Sequence, residues 1–166
     1  MTTPFGDKMP TRENWIYLAG LFDGEGTICF GHKYTKAGNI SLNGRVVIVM
    51  TDKNIIQWLR DTFSEYCGED KIEAVRYSKN YKHAVAYQFV VLTKKHKKFL
   101  KHILPFLRVK HYQAELLLRY RDLVEARSSD TRRWIKEVDD EREYLFNELC
   151  NANRRGPKSN KVSGLV

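Results

Sequence analysis

Two periods alternate along this chain of 166 residues. Trp15 to Phe22 is an apolar run that predicts a helix over about 11–22, with the Thr11 hydroxyl as its N-cap. It ends in an acidic, glycine-flanked corner, Asp23-Gly24-Glu25-Gly26. Ile16, Gly20 and Gly24 recur at spacing four and share one face, where small residues let another backbone approach closely. From Thr27 to Tyr34 the period drops to two. Ile28, Phe30 and Tyr34 form one face, and Cys29, Gly31 and Lys33 the other. Lys36 to Asn39 is turn chemistry. In a second strand, 41–50, Val46, Ile48 and Met50 alternate with Asn43, Arg45, Val47 and Val49. A helix follows over about 52–66, capped by Thr51 or Asp52, striped by Ile55, Ile56, Trp58, Leu59 and Phe63 and ended by Gly68.

The pattern then repeats. Residues 71–77 and 84–92 predict a hairpin around Ser78-Lys79-Asn80. Val85, Tyr87, Phe89 and Val91 face the helices; Ala74, Arg76 and Ser78 on one strand, and Lys82, Ala84, Ala86 and Gln88 on the other, face out. Thr93 is expected to cap a helix to about Leu104, which Pro105 breaks. A further helix is expected to end near Ala126, and a last one runs from an Asp130 cap to about Asn151. The order α-β-β-α-β-β-α followed by two helices describes an α+β plan, with one antiparallel sheet whose helices cover a single face. The opposite face carries the polar set and is left for water or a ligand.

Charge sharpens this picture. Lys and Arg outnumber Asp and Glu by 29 to 20, a net +9, which suits a polyanionic partner. The hydrophobic share of 42% supports a sizeable core, so residues 11–152 are expected to form one domain between an irregular N-terminal arm (1–10) and a basic, flexible tail (153–166). No membrane-length apolar run and no signal-peptide pattern occur, so an intracellular protein with no membrane partner is expected. Cys29, Cys67 and Cys150 are widely spaced, which argues against a zinc site or disulfide framework. His96 and His102 lie among lysines, where solvated or phosphate-facing roles are expected.

Leu18-Ala19-Gly20-Leu21-Phe22-Asp23-Gly24-Glu25-Gly26 resembles, position by position, the motif of the LAGLIDADG homing endonucleases. Phe22, Gly24 and Glu25 depart from it, keeping apolar, small and carboxylate character. The resemblance implies an αββαββα core with two added helices, whose sheet lies over DNA like a saddle. With one motif in the chain, it implies a homodimer packed through the motif helices (Ile16, Ala19, Gly20, Asp23 and Gly24) and a near-palindromic site. It also implies that Glu25 binds a divalent metal with the Gly24 carbonyl beside it. Hard oxygen ligands suit Mg²⁺, with Mn²⁺ as substitute. Pro105 to Ala114 resembles the segment in which a lysine polarises the attacking water, and Lys110 is the matching position. An ungapped count places Asp52 where the family commonly has a water-positioning glutamine; that role, metal ligation and simple N-capping all stay open. Ile56 stands near where the family often has an arginine, so Lys53 or Gln57 would have to supply that contact.

On the polar face, Arg45 and Arg76 match guanine, and Asn43 and Gln88 match adenine. Lys33, Thr35, Ser78, Lys79 and Lys82 are expected to serve bases or phosphates, Lys94, Lys95, Lys97 and Lys98 to contact phosphates or form a solvated helix flank, and Arg154, Arg155 and Lys158 to contact backbone beyond the core site. The leading expectation is a sequence-specific, metal-dependent, intron-encoded endonuclease that cuts both strands of double-stranded DNA. The alternative is a non-cleaving binder on the same scaffold: a maturase whose partner is intron RNA, or a regulator. A structural protein binding by charge alone is a third reading, which predicts steep salt dependence without sequence preference.

Overall fold

The computed structural model describes residues 9–34, 40–68, 74–75, 85–125 and 136–154. In chain order the elements are α1 (Arg12–Glu25), β1 (Gly26–Tyr34), β2 (Ile40–Met50), α2 (Lys53–Thr62), β3 (Ala74–Val75), β4 (Ala86–Val90), α3 (His96–Ile103), α4 (His111–Glu125) and α5 (Lys136–Ala152). This is the predicted α+β order. The strands form one antiparallel sheet in the order β1-β2-β4-β3. The arm over 1–8, the turns around 36–39 and 78–80, most of the strand expected over 71–77, the Asp130 cap and the tail from 155 lie outside the described residues.

Thr11 caps α1 as expected. Its hydroxyl accepts from the Asn14 amide, while Asn14 Oδ1 accepts from the Thr11 amide at 2.9 Å, a capping box with asparagine in the third position. The helix continues three residues past the expected end, because Gly24 does not break it. Gly26 does: it is extended (φ −71°, ψ 154°) and returns its N–H to the Phe22 carbonyl. A Cβ there would stand 2.5 Å from that oxygen, so the chain can leave α1 for β1 in this path only as glycine.

Trp15, Leu18, Ala19 and Phe22 are buried on one side of α1. Trp15 sits among Phe63, Tyr66 and Phe99 and stacks on His102 at 5.1 Å, seating α1 on α2 and α3. Ile28, Val46, Ile48, Phe89 and Val91 complete the core from the sheet. Two expected outward positions, Val47 and Ala86, are buried instead. Val47 lies on the inner strand between Thr27 and Val90, and those neighbours shield it. Val85 is exposed rather than packed, because β4 starts after it.

Thr93 does not cap a helix. It opens a 3₁₀ turn (Thr93–Lys95), and α3 begins at His96 without a side-chain cap. His96 is 1% exposed and donates from Nε2 to the Val91 carbonyl at 3.0 Å, with Nδ1 unpartnered; its expected solvated place is wrong. Gly44 on β2 leaves the space into which Leu117 and the His96 ring close. His102, the other histidine expected among solvated lysines, is exposed but bonded through Nδ1 to the Lys98 carbonyl. Burial, aided by the Arg121 charge, pushes the His96 imidazole down to about 4 against an opposing bond to Val91. The unfolded chain therefore takes up a proton between about 6.5 and 4 that the folded chain refuses. Stability should be complete above that window and fall as pH drops through it, by on the order of 3 kcal/mol. Urea unfolding of the wild type and His96→Gln across this window checks this; a wild-type slope no steeper than the variant's removes His96 as the cause.

The last two helices pair through Arg119 and Glu141 at 2.9 Å and through Tyr112 and Glu148 at 2.9 Å. Phe146 of α5 and Tyr120 of α4 close on Phe30 of β1. The tail begins later than expected, since Asn153 Nδ2 donates to the Ile28 carbonyl at 2.7 Å and pins the end of α5 to the edge strand. Among the described residues no helix is long and apolar enough to cross a membrane.

Candidate active site and nucleic-acid face

Glu25 is the last residue of α1 and is exposed. Among the described residues no hydrogen bond or ion pair engages its carboxylate. The helix end adds its own field: the final carbonyls of α1 lack helical partners, carry the negative pole, and have no basic residue in the last turn. The cation comes from elsewhere in the chain. Lys110, just before α4, donates its ammonium to the Asp23 carbonyl. In return, the Asp23 carboxylate accepts the Arg108 amide at 2.8 Å and the Lys110 amide at 2.9 Å. Partial burial works to raise the Asp23 pKa. The amides of Arg108, Lys110 and Val109 and the Lys110 charge outweigh it and hold the carboxyl below its usual range.

The donor set at this corner fits a hard divalent cation. It offers a carboxylate at Glu25, the carbonyl of the exposed Gly24 and a negative helix end, all hard oxygen donors. Among the described residues no group of three or more His, Cys, Asp or Glu forms. Asp52 lies at the N-terminus of α2, and its Oδ1 accepts from Asn54 N at 2.8 Å and Ile55 N at 3.1 Å, which is the capping reading. Ile56 is fully buried, whereas Lys53 and Gln57 are both exposed, Gln57 with its side chain bonded to Asp61.

The expected self-association face is partly corrected. Ile16, Gly20 and Gly24 are exposed, with nothing within 4 Å of a Cβ placed on either glycine. Ala19 is 1% exposed inside the chain's own core, and Asp23 is committed to the turn before α4. Neither belongs to the open face. Alternation along a four-spaced face does not reveal this, whereas the three-and-four spacing of Trp15, Leu18, Ala19 and Phe22 does.

On the outward sheet face Arg45 reaches across to Gln88, Nη2 to Oε1 at 3.5 Å, and Asn43 is half-buried on the same strand. Lys33 pairs with Ser41 through the backbone. Its side chain, and Thr35, Arg76, Ser78, Lys79, Lys82, Arg155 and Lys158, lie outside the described residues. Arg154 is exposed just after α5. Two α3 lysines expected on phosphate are already neutralised: Lys97 by Asp122 and Glu125, and Lys98 by Glu65. Sequence reasoning missed Asp23 and His96, whose partners are distant in sequence or hidden within a charged run.

The sequence matches no family model and no curated protein. The fold does find relatives. The archaeal intron-encoded homing endonuclease I-Vdi141I, solved with DNA, superposes with a TM-score of 0.66 at 16% identity over 89% of this chain and 88% of its own. I-CvuI, a homing endonuclease solved with DNA in the presence of Mg, gives 0.63 at 16% identity over 89% and 85%. The LAGLIDADG homing endonuclease I-GzeII, also solved with its DNA target, gives 0.57 at 13% identity over 84% of this chain but only 43% of its own. This chain has the LAGLIDADG homing endonuclease fold.

Proposed function

We propose that two copies of this chain form a sequence-specific, divalent-metal-dependent homing endonuclease that hydrolyses both strands of a near-palindromic DNA site. The observation that carries this reading is the corner itself. A free carboxylate ends a helix whose exposed side carries two glycines beside Ile16 and Tyr17, and a lysine from 85 residues further on lies against the same helix end. The likeness to 43% of I-GzeII supports two copies, since one chain corresponds to about half of that protein. Pairing Ile16, Gly20 and Gly24 across a two-fold axis would place the two Glu25 carboxylates near the two scissile phosphates, one for each strand.

Glu25 and the Gly24 carbonyl would hold Mg²⁺ or Mn²⁺. When bound, such an ion activates water and offsets the charge that develops on phosphate. Lys110, whose ammonium rests on the Asp23 carbonyl at the same helix end, would be the cation that offsets that charge. Asp52 can cap α2 with one oxygen and orient water with the other. Arg45, Asn43 and Gln88 read base edges, and the basic residues around them hold phosphate. Incubating the full chain with a randomised duplex library and Mg²⁺, then sequencing the ends, tests the reading. Recovered ends should define one symmetric site. Intact DNA with tight, specific RNA binding would replace it with the maturase, and intact DNA with only salt-steep, unspecific binding with the charge-driven binder.

A further inference from the structure

We infer that Asp23 is a positioning residue for DNA cleavage: it holds the turn before α4, and with it the Lys110 ammonium, against the end of α1 that carries Glu25. This rests on the endonuclease reading above. One residue grips the turn from both its polar ends. Its carboxylate takes the amides of Arg108 and Lys110 at 2.8 and 2.9 Å, and its carbonyl takes the Lys110 ammonium. The turn is otherwise anchored at its two ends, where the Leu107 amide donates to the Leu104 carbonyl at 3.2 Å and the Lys110 carbonyl accepts from the Ala114 amide at 3.0 Å. Leu107 is buried at its start, but Arg108 and Val109 are exposed, Val109 at 69%. Between those ends the exposed side chains of Arg108 and Val109 add little packing, and Asp23 holds both the backbone and the ammonium of Lys110. The electrostatics agree, because the turn leads into the N-terminus of α4, whose unpaired amides and positive pole favour an anion. Asparagine is the same shape but neutral, and its NH₂ faces one of the two amides as donor against donor.

The test uses the full chain on the site recovered from the library, with saturating protein. Asp23→Asn should lower the single-turnover cleavage rate by about 10²-fold, as expected when a catalytic cation is displaced by about 1 Å. DNA affinity, measured without Mg²⁺, and the dimer should be unchanged, a split that a general loss of folding does not produce. Should Asp23→Asn fail to fold, Asp23→Glu carries the test. It keeps the charge but shifts it by one methylene, and should fold and cut at least about tenfold more slowly. A wild-type rate in the folded variant, or a rate loss matched by an equal loss of binding, overturns the inference. If Glu25→Gln is inactive in the same assay, that outcome leaves the endonuclease reading standing. A wild-type chain inert on every library member overturns both.

Discussion

Gly20→Leu is expected to leave each chain folded and to abolish cleavage by keeping two chains apart. The glycine lies mid-helix on the exposed side of α1, and a Cβ there meets nothing within 4 Å. Within one chain the change should even help, since glycine in a helix interior costs about 1 kcal/mol relative to residues such as leucine. Between chains it should be ruinous. A surface that works by close backbone approach cannot admit an isobutyl group at its centre, let alone two related by symmetry. Thermal unfolding should show an unchanged or raised midpoint, light scattering a shift from dimer to monomer, and the cleavage assay no double-strand product. A variant that stays dimeric and active would place the self-association surface elsewhere.

The second large effect concerns the carboxylate. Glu25→Gln keeps the length, the helix and the exposure, and removes the charge. A cation bound there contributes several kcal/mol to the reaction, so losing its main ligand should slow cleavage by about 10³-fold or more. DNA affinity should hold, because no base or phosphate contact is asked of this residue. Single-turnover rates with Mg²⁺ and binding curves without it check both halves. Cleavage at the wild-type rate would move the metal to other residues. A mixed dimer of wild-type and Glu25→Gln chains should cut predominantly one strand, because each carboxylate serves the strand nearest to it.

Much of this corner is readable in the chain. The Thr11 cap, the apolar helix and the alternating strands act over short distances, so period and turn chemistry report them. Glu25 and Lys110 stand out because each resembles a motif at its own place. What links them does not. Asp23 reads as an acid in a glycine-rich corner, and nothing within ten residues of it indicates that its oxygens serve amides of the turn before α4. His96 reads as one more polar residue in a lysine-rich stretch, and only the space left by Gly44 explains why it is inside. Ala19 reads equally as core or interface, because small residues suit both. Its neighbours Trp15 and Phe22 decide the matter once the helix is seen to bury that side. Asn153 reads as tail, since a bond to the Ile28 carbonyl across the chain leaves no local trace.

The clasp between residues 23 and 108 also bears on when the protein becomes dangerous to DNA. Closing a loop of 85 residues costs on the order of 4 kcal/mol of chain entropy, so the contact forms only after the hairpins and α2 have brought the two helix ends near. A ribosome-bound fragment that stops short of Lys110 has the acid without its cation. On the endonuclease reading such a fragment would be inert, and activity would wait for the last third of the chain.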